Sequence, residues 1–203
     1  MSVCCIIGAG DCPIFDFKKN AGDLIIAADG GYTHLRKYNV VPDIVIGDFD
    51  SLGYIPDDID IIKLPVEKDI TDMLAAVNVG IEKGYSSFYI FGGCGGRIDH
   101  TLSNLQLITS IAEKGMKVIL KDQNTVITAI HNGKITLDKS NKGYISVISH
   151  SDVSTGVTIK GLKYPLENDE LTNRFPLGVS NAFKGDEAEI SVENGTLLII
   201  YYC

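Results

Sequence analysis

The sequence predicts an α/β fold, with a mostly parallel sheet and flanking helices, followed by a small all-β sandwich domain. Three observations predict it. Short apolar runs at residues 3–7, 24–28, 44–46, 59–64, 87–91 and 116–121 alternate with segments that can form helices. One of them, Ile44-Val45-Ile46, is the unbroken run that a strand buried on both faces needs. From Thr125 onward helical spacing disappears and short strand-like runs replace it. The expected division is residues 1–124 as an α/β domain and residues 125–203 as the β domain.

The chain has 203 residues, enough for one large domain or two small ones. A net charge of −8 argues against a general nucleic-acid binder, which would want a basic face. It does not argue against a phosphate ligand, because a metal can supply positive charge. No run approaches the apolar length of a membrane span. The apolar start, Met1 to Gly10, lacks a basic head and a small-residue cleavage site, and reads as a first strand, not a signal peptide. The five cysteines form no C-x-x-C pair, which suits a reducing cytoplasm. Cys4 and Cys5 read as small core hydrophobes.

The elements follow in order. Val3–Ile7 is a buried strand that runs into Gly8-Ala9-Gly10. That turn opens like a dinucleotide fingerprint, but Pro13 stands where a third glycine belongs, so a tight turn is the better reading. No Walker loop occurs anywhere. Leu24–Ala28 is the second strand, and Asp29-Gly30-Gly31 follows it directly. Asp29 is either an N-cap for a short helix over Tyr32–Tyr38 or a group at a ligand mouth. The third strand ends at Gly47, and Asp48-Phe49-Asp50-Ser51 comes next. Residues two apart in extended chain point the same way, so Asp48 and Asp50 can aim two carboxylates at one point. The pair is either a solvated acidic turn or a site for a hard cation such as magnesium, which relieves the repulsion.

Ile59–Leu64 is a strand closed by Pro65. Beyond it Asp69 is placed to cap a helix, with Asp72 in its first turn, where an acid complements the helix dipole. Lys68, Thr71 and Asp72 are equally what a magnesium–phosphate site would use. Ser87–Phe91 then enters Gly92-Gly93-Cys94-Gly95-Gly96-Arg97-Ile98-Asp99-His100. Four glycines in five residues offer bare N–H groups to an anion. Arg97 adds a phosphate-seeking fork. His100 and Asn104, four apart, share one face near the start of the next helix. Three strands thus end in acidic or glycine-rich turns, and open parallel sheets bind ligands beyond the carboxyl ends of their strands.

In the last third, strands are expected at 125–129, 133–137, 144–149, 156–160, 187–192 and 196–201, with hairpin turns at Asn132-Gly133 and Asn194-Gly195. The stretch Leu177–Phe183, between two of them, has the composition of a connecting loop.

The succession D-G-G at Asp29, G-D-F-D-S at Gly47, D-x-T-D at Asp69, G-G-R-x-D-H at Gly95 and a late S-N at Ser180 resembles the thiamine pyrophosphokinase family, over nearly the whole chain. The resemblance implies transfer of a pyrophosphoryl group from ATP to the thiamine hydroxyl, giving thiamine diphosphate and AMP. It implies a nucleotide-binding catalytic domain, a thiamine-binding sandwich, and a homodimer with shared active sites. It places Asp48, Asp50 and Asp72 at a Mg2+–triphosphate site with Asp29 and Gly30 beside them. Lys68, Thr71, Arg97, Asp99 and His100 would contact or orient nucleotide. Asp72 or Asp99 would accept the proton. Asn104, Ser180, Asn181 and Phe183 would meet thiamine. The family often carries a tryptophan near the position of Phe183. This sequence has no tryptophan, and Phe183 is the ring left to stack.

Two other readings compete. Ile44–Asp50 also resembles the nucleophile motif of haloacid-dehalogenase-type phosphatases, in which Asp48 would carry phosphate and Asp50 would act as the acid. That family usually opens with this motif, whereas two strands precede it here, and the Arg97 loop is left without a purpose. A non-enzymatic, metal-dependent nucleotide-binding module is the second.

Overall fold

The apolar runs form strands, and their registers bring the strand ends level. The structure is a computed structural model that describes residues 2–47, 59–65 and 69–202. The chain divides into two compact units, residues 1–107 with 120–123 and residues 108–119 with 124–203. Asp48, Asp50 and Lys68 lie outside the described residues. Among the described residues, no helix is long and apolar enough to cross a membrane.

In the first unit, β1 (Cys4–Ile7), β2 (Leu24–Ala28), β3 (Ile44–Gly47), β4 (Asp60–Lys63) and β5 (Ser87–Phe91) form a parallel array in the order β5-β1-β2-β3-β4. All residues of β1, β2 and β3 are buried, as a sheet covered on both faces requires. Ile7 lies opposite both Ala27 and Phe91, and Ala28 lies opposite Ile46. The carboxyl ends of four strands therefore share one rim. The opposite rim also carries acids, but they serve the backbone. Asp23 accepts from the N–H groups of Val3 at 2.8 Å and Asn20 at 2.9 Å. Asp43 accepts from the Ile25 N–H at 2.7 Å and pairs with Lys19.

Helix α1 (Gly31–Lys37) starts one residue after a glycine N-cap, Gly30, so Asp29 is not its cap. Asp29 instead takes a left-handed conformation, φ +51°, and its N–H donates to Ile46 O at 2.8 Å. Gly31 packs so tightly on β1 that a Cβ would lie 1.9 Å from Ile7 O. The cap of α2 (Asp72–Glu82) is Thr71, not Asp69: the Thr71 hydroxyl accepts from the Leu74 N–H at 3.2 Å. Asp72 does occupy the first turn. Helix α3 (Ile98–Glu113) and β6 (Lys117–Asp122) complete the alternation.

The second unit is antiparallel. Its strands are β7 (Thr125–His131), β8 (Lys134–Leu137), β9 (Tyr144–Ser149), β10 (Val153–Lys160), β11 (Leu166–Thr172), β12 (Asn181–Ala182), β13 (Ala188–Ser191) and β14 (Thr196–Tyr202). They fall into the arrays β12-β9-β14-β7 and β11-β10-β13-β8. One buried cluster draws Ile145, Val147, Leu197 and Ile199 from the first array and Val157, Ile159, Leu171 and Ile190 from the second. Two sheets sharing one core make a sandwich.

Three features of this unit depart from the sequence expectation, the first being β12, which pairs with β9 inside the stretch expected to be a connecting loop. Strand β11 was not expected because Glu167, Asn168, Asp169 and Glu170 are all exposed and only Leu171 is buried. It is an edge strand, and charged side chains protect its open flank. The Asn-Gly turns also do not close hairpins, since β7 and β8 belong to different arrays, as do β13 and β14. Each turn moves the chain between sheets, and the two turns bond to each other. The Asn132 N–H donates to Gly195 O at 3.1 Å, and the Gly195 N–H donates to Asn132 Oδ1 at 2.8 Å.

Candidate active site

The rim of carboxyl strand ends carries a cavity of about 460 Å³. Its walls are the turn after β1 (Gly8, Ala9, Gly10), the end of β2 (Ala28, Asp29), the start of α2 (Thr71, Asp72, Met73), the loop Gly92–Arg97, and one face of α3 (His100, Ser103, Asn104). Asp29, Thr71, Asp72, Arg97, His100 and Asn104, far apart in sequence, therefore meet in one place. Gly30 and Asp99 adjoin the cavity in sequence but do not line it. Asp48 and Asp50 follow Gly47, the last residue of β3, directly.

The loop after β5 shows how an anion would be received. The carbonyls from Phe91 to Cys94 are held by the rest of the unit. Phe91 O accepts from the Gly8 N–H at 2.8 Å, Gly92 O from the Gly10 N–H at 2.9 Å, and Cys94 O from the Asp11 N–H at 2.9 Å. Gly93 O accepts from Asn104 Nδ2 at 2.7 Å. The N–H groups of Gly92, Gly93, Cys94, Gly95 and Gly96 donate to no acceptor among the described residues. Donors without partners along a cavity wall, just before a helix N-terminus, form an anion cradle. Glycine is required at Gly92, whose φ is +61° and where a Cβ would lie 2.4 Å from Gly8 O.

These bonds also explain Gly8-Ala9-Gly10. In place of the tight turn expected, it is a bend with no closing hydrogen bond of its own among the described residues, and its N–H groups extend the β1–β5 ladder and brace the loop. The sequence reading missed this role, and it missed Ser103 on the cavity wall. A glycine turn beside a second glycine loop was the available signal. Cys94 also faces the cavity, but burial, with the nearby charge of Asp122, pushes its thiol up to about 11, so it is not a nucleophile at neutral pH.

Arg97 is engaged by Asp99. Its Nε donates to Asp99 Oδ1 at 3.1 Å and a terminal nitrogen donates to Oδ2 at 2.5 Å. The Arg97 fork, helped by the His100 N–H, holds the Asp99 carboxyl below its ordinary range. Both side chains are exposed, 70% and 59%. Asp99 is thereby a poor proton acceptor and a good anchor for the guanidinium. Asn104, expected to contact thiamine, lines the cavity; it is 8% exposed and its amide donates to Gly93 O.

The late motif lies in the second unit. Ser180 is exposed, in a left-handed conformation, and its N–H donates to Ser146 Oγ at 3.2 Å. Asn181 is 5% exposed. Its Oδ1 accepts from the Tyr164 N–H at 2.9 Å and the Ala182 N–H at 2.8 Å, and its Nδ2 donates to Tyr164 O at 2.7 Å. Phe183 is half-buried, edge-on to Tyr201 with ring centroids 6.1 Å apart.

For a cation, the cavity offers the carboxylates of Asp29 and Asp72 and the Thr71 hydroxyl, with the Cys94 thiol and the His100 imidazole also on its wall. The two carboxylates and the hydroxyl are hard oxygen donors of the kind magnesium takes. Three or more His, Cys, Asp or Glu side chains gathered as a metal site do not occur among the described residues.

Comparison with known proteins agrees over both units. Residues 17–120 match the family model for the thiamin pyrophosphokinase catalytic domain, and residues 133–197 match the model for its vitamin B1 binding domain. Thiamine pyrophosphokinase of Bacillus subtilis (strain 168) is 33% identical over 184 residues, spanning 87% of this chain and 86% of that protein. The crystal structure of thiamine pyrophosphokinase from Bacillus subtilis matches with a TM-score of 0.88 at 29% identity, over 98% of each chain. That of thiamin pyrophosphokinase from Geobacillus thermodenitrificans matches with a TM-score of 0.85 at 28% identity, over 99% of this chain and 97% of the other. By its motifs, its two units and these likenesses, the chain belongs to the thiamine pyrophosphokinase family of enzymes.

Proposed function

We propose that the chain transfers a pyrophosphoryl group from ATP to the hydroxyl of thiamine, giving thiamine diphosphate and AMP, as a homodimeric cytoplasmic enzyme that uses Mg2+. The observation that carries this is the loop after β5, with the carbonyls of Gly92, Gly93 and Cys94 tied back and its N–H groups, which meet no acceptor among the described residues, left for a polyphosphate. Asp48, Asp50 and Asp72 would hold the magnesium ion. Bound there, it would offset charge on the phosphate oxygens as the bond to AMP breaks.

The remaining work falls to the chain itself. Loop N–H groups and Arg97, steadied by Asp99, bind and orient the β- and γ-phosphates. Lys68 and His100 add donors around them, and Asp29, followed by Gly30 at the start of α1, lines the wall at the end of β2. Thr71 fixes the start of α2 and so aims Asp72. Of the two carboxylates considered as proton acceptor, Asp72 lines the cavity and Asp99 is tied to Arg97. The base role therefore goes to Asp72. In the second unit, Ser180 and Phe183 present a hydroxyl and a ring to thiamine, while Asn181 holds the segment that carries them.

The phosphatase alternative explains neither the glycine-rich loop nor the second unit. The test is incubation with ATP, magnesium and thiamine. AMP and thiamine diphosphate in equal amounts are expected. Nucleotide binding with no thiamine-dependent AMP would instead leave a binding module, and orthophosphate released from simple phosphoesters would favour the phosphatase.

A further inference from the structure

We infer that Asn104 is a positioning residue for nucleotide, acting through the peptide between Gly93 and Cys94 and not by touching thiamine. The inference rests on the polyphosphate reading of the cavity. Four carbonyls of the loop, from Phe91 to Cys94, accept hydrogen bonds, and three of those bonds come from backbone N–H groups of the Gly8–Asp11 turn. The fourth comes from a side chain, Asn104 Nδ2 to Gly93 O at 2.7 Å. It is the one link of the four that a side-chain substitution removes.

The peptide bonds here are trans. In a trans peptide the carbonyl and the following N–H point in opposite directions. Holding Gly93 O toward α3 therefore fixes the direction of the Cys94 N–H, one of the donors that meet no acceptor among the described residues. That peptide turns about ψ of Gly93 and φ of Cys94; glycine has no side chain to restrict the first, and the β1–β5 register ends before it, at Phe91. The buried amide of Asn104 takes over that role across eleven residues of sequence. An oriented donor acts on anion binding without reorganising, which is where its benefit lies. His100, one turn earlier on α3, lines the same cavity, so the helix both carries a ligand-facing group and sets the loop beside it.

Asn104→Leu keeps the size and removes the donor without adding charge. Binding of MgATP and of thiamine, each alone, is measured by calorimetry, with the amide 1H–15N spectrum recorded for the ligand-free protein. The variant is expected to weaken MgATP about tenfold, the equivalent of one hydrogen bond. Thiamine affinity is expected to stay put, and the Cys94 amide resonance to move without ligand. Asn104→Ser, which retains a short donor, is expected to recover part of the loss and serves if the leucine variant does not fold. Weaker thiamine binding with unchanged MgATP binding would overturn the assignment. So would an MgATP loss with the Cys94 amide resonance unaltered, which marks direct contact. Failure of the wild-type protein to bind MgATP would sink the polyphosphate reading itself, a distinguishable result.

Discussion

Two glycine-bearing turn systems in this chain are built in opposite ways. In the second unit, the Asn132-Gly133 and Asn194-Gly195 turns satisfy each other, donor to acceptor, and the Val192 N–H closes on Gly133 O. In the first unit, the Gly92–Gly96 loop has the carbonyls of Gly92, Gly93 and Cys94 satisfied, while its N–H groups meet no acceptor among the described residues. Glycine content alone does not separate the two. What separates them is whether the chain completes its own hydrogen bonds. A backbone donor without a partner is costly unless water or a ligand meets it. The first system is therefore shaped for something other than the protein, and the second is shaped for the sandwich.

The same contrast holds for side chains. Asn181 has both ends of its amide committed within its own unit. Arg97 is paired with Asp99 on an exposed rim, where its fork can be shared with an incoming anion. Substitutions at these positions should fail in different ways. Arg97→Ala is expected to lower kcat/KM for ATP by about 10²- to 10³-fold, as loss of one preorganised donor does. Its melting temperature should stay near wild type, because an exposed ion pair contributes little to stability. A matching loss of stability would show that the pair holds the fold. Asn181→Ala is the converse and the smaller effect. It is expected to destabilise the protein by roughly 1–3 kcal/mol by leaving buried partners unmet. Denaturant unfolding reads that change, and MgATP affinity should not follow it. A change in MgATP affinity with unchanged stability would erase the distinction drawn here.

Much of this was legible in the sequence. The buried runs at Cys4–Ile7, Leu24–Ala28 and Ile44–Gly47 could be little else than central parallel strands, and the turns behind them marked the rim. The gathering of Asp29, Asp72 and Arg97 followed from that topology. Other features depended on partners that no local pattern reveals. Asn-Gly signals a tight turn, but not whether its flanking strands pair, and here they join different sheets. Exposed β11 has too few apolar residues to show a period. Thr71 displaced Asp69 as the cap because the helix begins at Asp72, a shift of two residues that composition does not fix. Asn104 looked like a ligand contact because it shares a face with His100; its bond to Gly93 needed the fold to bring loop and helix together.

Amide hydrogen exchange with and without MgATP tests the central claim most directly. The account predicts slower exchange across Gly92–Arg97 on adding MgATP, with no change at Asn132–Gly133 or Asn194–Gly195. Protection centred on the second unit, with the Gly92–Arg97 amides unaffected, would contradict it.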